Sequence, residues 1–339
     1  MLNDRKLPLA ESKGSGSGAA LRASGRLFER SIVRNYPKVS VIICTRDRGD
    51  QVLRTIRSVL RNRYPAYEVI IVDQSREPIE HGLTSLFHDD RVRYRHSTDF
   101  GLSRGRNLGA GLSRGEIVAF TDDDCEVQDD WIDKIIDAFA LNDRIQIVFG
   151  SVAAASYDLE SGLIPHYLIR EPFVARSVLN KWRINGMGAC MALRRNIWIK
   201  LSGFDVCLGA GTPLHSGEDT DFALRTLISG NWIYETPSVK VKHFGFVARE
   251  GIHDLIAGYM LGTGAAFAKQ MRLADRNICR LFTHMLWQWI FKMPSVRYVS
   301  SHKRILRLLW FSRGFITGMK IPLDRASGHF AAKGFPGGI

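Results

Sequence analysis

Apolar residues recur along this chain in two alternating rhythms. The run Val39, Ser40, Val41, Ile42, Ile43, Cys44 reads as a buried strand, and Val52, Leu53, Ile56, Val59 and Leu60 follow at helical spacing. A second apolar run, residues 69–72, ends at Asp73, and a third strand is expected at 92–94. Residues 102–112 read as a helix, 117–120 as a strand and 131–140 as another helix. Strands alternating with helices predict an α/β fold built from βαβ units, with a mostly parallel, doubly wound sheet. Residues 145–152, 186–193 and 239–241 predict further strands of mixed or antiparallel direction, and from Ile252 onward the pattern turns mainly helical.

In such sheets the ligand crevice lies beyond the carboxyl ends of the strands. Those ends are polar here: Thr45, Arg46 and Asp47 follow the first strand, Asp73 the second, and Asp122, Asp123 and Asp124 of FTDDDC the fourth. Three adjacent carboxylates raise one another's pKa unless a cation holds them. Asp122 and Asp124, two apart on an extended chain, can point the same way, which suits a hard divalent ion; a solvated turn or a helix N-cap leading into Trp131 explains the same residues. In GEDTDF, residues 217–222, the acids Glu218, Asp219 and Asp221 either complement a helix dipole or hold a general base for a hydroxyl nucleophile. His243 in VKHFGF is either a packing residue or a nitrogen ligand to the same metal. Between residues 165 and 185, where Arg170, Arg176, Lys181 and Arg183 gather, Trp182 either stacks on a sugar face or anchors the loop. The glycines of LGTGAAFAK, residues 261–269, sit among apolar residues at helical spacing and predict close helix packing.

Composition narrows the class. A chain of 339 residues, 45% of them hydrophobic, can bury a substantial core. Its five cysteines are odd in number and lack CxxC spacing, so neither a disulfide framework nor a zinc site is indicated and a reducing compartment is expected. The first twenty residues hold no apolar stretch of signal-peptide length, and no window reaches the about 18 to 20 apolar residues of a membrane span, so the expected location is the cytoplasm. Net charge is +13, and from Lys269 to the end thirteen lysines or arginines face two acids, Asp275 and Asp324. These charges are interleaved with Leu281, Phe282, Trp287, Trp289, Ile290, Phe291, Leu308, Leu309, Trp310 and Phe311. The mixture suits either an interfacial helix at the inner face of the plasma membrane or ordinary helical packing with a solvated basic face. Nucleic acid is not an expected partner. The expected organisation is a flexible leader over 1–36, a catalytic domain over 37–250, a helical basic extension over 251–320 and a flexible tail over 321–339.

The succession VSVIICTRDR, EVIIVDQS, GLSRGRNLGAGLSRGEIVAFTDDDC, GEDTDF and VKHFGF resembles the family 2 glycosyltransferases, over roughly residues 38 to 246. The resemblance implies the GT-A (nucleotide-diphospho-sugar transferase) fold, a doubly wound mixed sheet with a helical C-terminal extension, and an inverting transfer of sugar from a nucleoside-diphosphate donor to a hydroxyl of a glycan or lipid-linked acceptor. Carried over by position, it places Thr45, Arg46 and Asp73 around the nucleoside and Asp122 to Asp124 on the family's DxD element. Asp122 and Asp123 then face the donor, and Asp124, with His243, ligates Mg or Mn. Asp219 matches the general base, and Glu218 and Trp182 lie on the acceptor side. Arg106 and Asn107 match an ARN-like stretch in which an alanine is more usual than Gly105; the match implies a role for Arg106 near the donor, and an arginine on a helix is equally a structural ion-pair partner. A silent sugar-nucleotide-binding scaffold and a nucleotidyltransferase are the competing readings; CTRDRGD makes a poor triphosphate loop for the second.

Overall fold

The structure, a computed structural model, describes residues 36–331 except 50, 87, 274–275 and 288–300. The expected leader lies outside the described residues, as do Trp289, Ile290 and Phe291.

The strands β1 (Val39–Thr45), β2 (Tyr67–Asp73), β3 (Val92–His96), β4 (Ile117–Asp122), β5 (Cys125–Val127) and β6 (Ile145–Ala154) are followed by the short β7 (Gly162–Leu163), then β8 (Phe173–Ala175), β9 (Cys190–Arg194) and β10 (Trp232–His243). The main sheet runs β3-β2-β1-β4-β9-β6-β10-β5, with β8 also paired to β10; β7 pairs with β11 (Val247–Ala248) outside it. β3, β2, β1 and β4 are mutually parallel, β9 runs antiparallel between β4 and β6, and β10 is parallel to β6. Every residue of β2, YEVIIVD, is buried, as expected of a parallel strand covered on both faces. Alternate residues serve opposite sides: Val41 and Ile43 of β1 join the core on one face and Ile42 the core on the other.

The helices are α1 (Gln51–Leu60), α2 (Glu80–Leu83), α3 (Leu102–Leu112), α4 (Trp131–Ala140), α5 (Arg195–Lys200), α6 (Glu218–Ile228), α7 (Ile252–Arg272), α8 (Arg276–Trp287) and α9 (Ser301–Lys320). Buried Val52, Ile56 and Val59 give α1 one apolar face at helical spacing. α3, LSRGRNLGAGL, keeps glycines that cost a helix about 1 kcal/mol each because it lies close on β1: a Cβ at Gly109 would stand 2.5 Å from Ile42.

The C-terminal helices are part of this core. Phe267 of α7, Ile278 and Leu281 of α8 and Phe311 of α9 are buried with the residues of one sheet face, each worth about 1.5–3 kcal/mol of apolar burial. Leu281 and Phe311 therefore do not serve an interface, as the charge interleaving allowed; Trp287 and Leu309 remain exposed. The glycines of residues 262 and 264 pack closely: a Cβ on Gly262 would overlap Ser216, and one on Gly264 would overlap Phe311 of α9. Residues 321–331, expected in a flexible tail, form a hairpin of β12 (Leu323–Asp324) and β13 (His329–Phe330), with Ile321 and Phe330 buried. These two apolar side chains fix the segment, and 332–339 lie outside the described residues. Among the described residues no helix is long and apolar enough to cross a membrane.

Candidate active site

Neighbouring parallel strands that end together make the crevice: β1 at Thr45, β2 at Asp73 and β4 at Asp122. The three adjacent carboxylates after β4 take three different roles. Asp123 turns inward and accepts a hydrogen bond from the Thr45 hydroxyl at 2.7 Å, while Thr55 holds the backbone carbonyls of Asp123 and Cys125. Burial pushes the Asp123 carboxyl up to about 6 in spite of that bond. Thr45 and Asp123 were both expected to touch the donor; here they are occupied with each other, because an inward carboxylate needs a donor and the β1 hydroxyl is the one in reach. Asp122 keeps a third of its side chain exposed and is 3.2 Å from Arg106.

Asp124 faces β10. Its Oδ1 is 3.1 Å from His243 Nε2, yet this buried oxygen has no donor aligned on it, and Oδ2 is 3.4 Å from Arg48. The other ring nitrogen of His243, Nδ1, is 2.7 Å from the Pro165 carbonyl, which can only accept a hydrogen bond, so Nδ1 carries the N–H and Nε2 is the nitrogen left to bind. Gly245 keeps the space open: a Cβ there would lie 2.6 Å from both Asp124 Oδ2 and His243 Nε2. An orphaned buried oxygen, a committed imidazole and a cradle a single methyl would fill together fit a divalent cation held by Asp124 and His243. Cys125 is also within ligand range, but its thiol is in the core and burial drives its pKa well up, so a hard cation finds no thiolate there.

Arg106 ties the strand ends to α6. Buried on α3, it reaches Asp122 with one nitrogen and Glu218 with the other, the latter at 2.8 Å. It is thus an ion-pair residue inside the crevice, the structural alternative that the sequence offered for it. Glu218 is buried; desolvation and the adjacent Asp219 push its carboxyl up to about 7, against the pull of Arg106. Asp219, in the first turn of α6, accepts hydrogen bonds from the backbone N–H groups of Gly188 at 3.1 Å and Thr220 at 2.6 Å. Gly188 also makes room for Arg106, since a Cβ would stand 2.5 Å from its guanidinium.

Other expected residues lie further out. Asp73 is wholly buried and its oxygens accept bonds from Ser75 N, Ile79 N and the Tyr94 hydroxyl; burial opposes its ionisation, but these donors hold it below the usual carboxylate range. It shapes the loop after β2 with both oxygens engaged. Arg46 is partly exposed, its guanidinium 4.4 Å over the ring of Phe100. Trp182 is 40% exposed and lies 5.1 Å from the ring of His284 on α8, a contact that anchors its loop.

Sequence reading missed several members of the site. Arg48 beside Asp124 and Gly245 two residues after His243 both sit in motifs already singled out. Lys181, noticed only as one of the basic residues of its loop, is buried with its amine on the Ile184 carbonyl; desolvation lowers its pKa against the attraction of Asp219 and Glu235. Tyr259 of α7 left no signal at all. Two-fifths of the residue is exposed, and desolvation of its phenol with the charges of Asp122, Asp219, Glu218 and Asp124 pushes its pKa up.

Known proteins share this arrangement of strands and helices. The family model described as glycosyl transferase family 2 matches residues 40–201. The glucosyl-dolichyl phosphate glucuronosyltransferase of Haloferax volcanii is 27% identical over 198 residues, 52% of this chain and 59% of its own length. The O-antigen biosynthesis protein RfbC of Myxococcus xanthus is 27% identical over 69% of this chain, which spans only 19% of that protein. The chain thus spans less than two thirds of either relative. Among solved structures, the mannosyltransferase PcManGT of Pyrobaculum calidifontis, in complex with GDP-Man and Mn2+, superposes with a TM-score of 0.59 at 17% identity, covering 87% of this chain and 79% of that one. TarS of S. aureus in complex with UDP-GlcNAc gives 0.58 at 14% identity over 82% and 81% of the two chains. The fold is the GT-A fold, and the family model of glycosyl transferase family 2 matches just under half of the chain.

Proposed function

We propose that the chain is an inverting glycosyltransferase that moves a sugar from a nucleoside-diphosphate donor to a hydroxyl of a glycan or lipid-linked acceptor. The observation that carries this reading is the open seat between Asp124, His243 and Gly245 just past the end of β4, two residues from the acid that Arg106 joins to Glu218. A bound Mg2+ or Mn2+ supplies counter-charge to the diphosphate leaving group. Asp124 and His243 hold it. Arg48 and Arg46 add positive charge near the same mouth, and Asp73, Thr45 and Asp123 keep the nucleotide floor in shape by the bonds described. Asp219, fixed as an acceptor by Gly188 N–H, takes the proton from the acceptor hydroxyl as that oxygen attacks the anomeric carbon. The bond to the diphosphate oxygen breaks on the opposite side, so one displacement inverts the centre and no nucleophilic side chain is needed. Glu218 and Trp182 belong to the acceptor side in this scheme. The basic C-terminal region supports a place at the inner face of the plasma membrane, where lipid-linked acceptors are met.

Calorimetric titration of UDP, GDP, dTDP and CMP, each with and without Mn2+, tests the reading on the wild type and on Asp124→Ala. One nucleotide is expected to bind in a metal-dependent way that the variant loses. Equal affinity with and without metal would remove Asp124 from the seat.

A further inference from the structure

The charge of the C-terminal region is spread over three helices, and packing decides which side chains are left to use it. α9 lies on α7 along a seam of glycines: a Cβ on Gly314 would overlap Leu261, one on Gly318 would stand 2.8 Å from Ala265, and one on Gly264 would overlap Phe311. This seam fixes the rotation of α9 about its own axis. Phe311 is turned inward and is buried. Ile305, Leu309, Ile316 and Met319 are turned outward, with exposures of 62%, 61%, 55% and 46%. At about 100° per residue these four fall within a band roughly 80° wide and about 20 Å long. Arg313 and Lys320, also exposed, border the band on one side. The whole helix, SHKRILRLLWFSRGFITGMK, has no acidic residue.

We infer that this outer face of α9 is the surface by which the protein seats on an anionic lipid bilayer, with Ile305, Leu309, Ile316 and Met319 in the interface and Arg313 and Lys320 on the lipid headgroups. The inference deepens the membrane location proposed above and rests on it. An apolar band flanked by cations and devoid of anions is complementary to a surface of acyl chains and phosphates. A second copy of the chain is the poorer occupant. Antiparallel self-pairing that matched Ile305 with Met319 and Leu309 with Ile316 would bring Arg313 against Arg313 of the second copy near the centre, with no acid on either helix to relieve it. The seat also has a defined relation to the crevice. α7, which carries α9 on the Gly264 side, meets the loop before α6 through Gly262 and Ser216, whose hydroxyl also bonds the Gly258 carbonyl. The lipid surface is therefore one helix away from the acids.

Co-sedimentation of the full chain with vesicles tests this without any sugar transfer. Wild type is expected to bind vesicles of mixed phosphatidylcholine and phosphatidylglycerol and to leave vesicles of phosphatidylcholine alone in solution. Ile305→Ser/Leu309→Ser/Ile316→Ser is expected to lower that affinity by on the order of 100-fold, with the melting temperature unchanged because all three side chains are exposed. Arg313→Gln/Lys320→Gln, which leaves the apolar band intact, is expected to lose about 10-fold. Should wild type ignore anionic vesicles, the membrane location itself is wrong. If both variants bind as wild type does, the contact lies elsewhere and α9 is not the seat. A wild-type dimer that the triple variant converts to monomer would make the face a contact between copies and overturn the inference.

Discussion

Two clusters of carboxylates sit on opposite sides of α6, and they are built to opposite ends. At the back, Asp205 and Asp221 meet Lys269 and Arg225, all buried: the lysine amine is 2.6 Å from Asp205 and 2.9 Å from Asp221, and Arg225 is 2.9 Å from Asp221. Gln270, Phe330 N and Cys207 N complete the remaining bonds, and although burial opposes ionisation the two cations hold Asp221 below the usual range. At the front, the buried Arg106 pairs Asp122 and Glu218, the exposed Arg48 reaches Asp124, and Asp219 accepts bonds from backbone amides. Asp219 and Asp221 are two residues apart in one helix turn. The back cluster balances its charge and closes; the front cluster runs an anionic surplus and leaves Asp124 Oδ1 without an aligned donor. Balanced buried charge fixes a structure, whereas a surplus held open is a demand for a ligand.

This contrast breaks in different currencies. Asp219→Asn is expected to cut sugar transfer by on the order of 10³-fold while the denaturation midpoint stays put; undiminished nucleotide release from a donor that binds would take Asp219 out of the reaction. Lys269→Met should do the reverse in kind, costing about 3–5 kcal/mol of stability because it strands the buried Asp205 and leaves Asp221 with Arg225 alone. Urea denaturation measures it, and a loss below about 1 kcal/mol would mean that the back cluster is not the structural one. The smallest effect sharpens the comparison through pH. Glu218 is pushed up to about 7 in the folded chain against 4.5 ordinarily, so the folded state holds its proton more tightly. Stability from this group is therefore full below about 4.5 and declines as pH rises to about 7. Glu218→Gln should flatten that decline in a series of denaturation curves, and an unchanged slope would assign it to another group.

The front cluster was more legible than the back one for a physical reason. Strand ends can be read from apolar runs, and polar residues placed there are noticed: Asp122, Asp124, Glu218, Asp219 and His243 all reach one crevice. The balanced cluster needs Lys269 of α7 and Asp205 of a loop, 64 residues apart, and no local pattern announces a lysine that will be wholly buried. The same distance problem hid the packing of Phe267, Ile278, Leu281 and Phe311 into the core on one sheet face. Periodicity showed a mainly helical region from Ile252 onward but not which way α9 turns; that is set by glycines meeting backbone across the α7 seam. Thr45 and Asp123 show the converse limit. Both were placed at the crevice by topology, yet their mutual hydrogen bond, not their position, decides what they face.

Gly188 shows where tolerance to change runs out. Its missing side chain is space for the guanidinium of Arg106, and its amide is a donor to Asp219, so one position serves both halves of the crevice. A replacement there is judged twice, once for bulk and once for the path of the backbone. Arg106 or Asp219 can each be exchanged for a residue that keeps part of its job; position 188 has no such partial substitute, and the least replaceable residue of the site is the one with no side chain to compare.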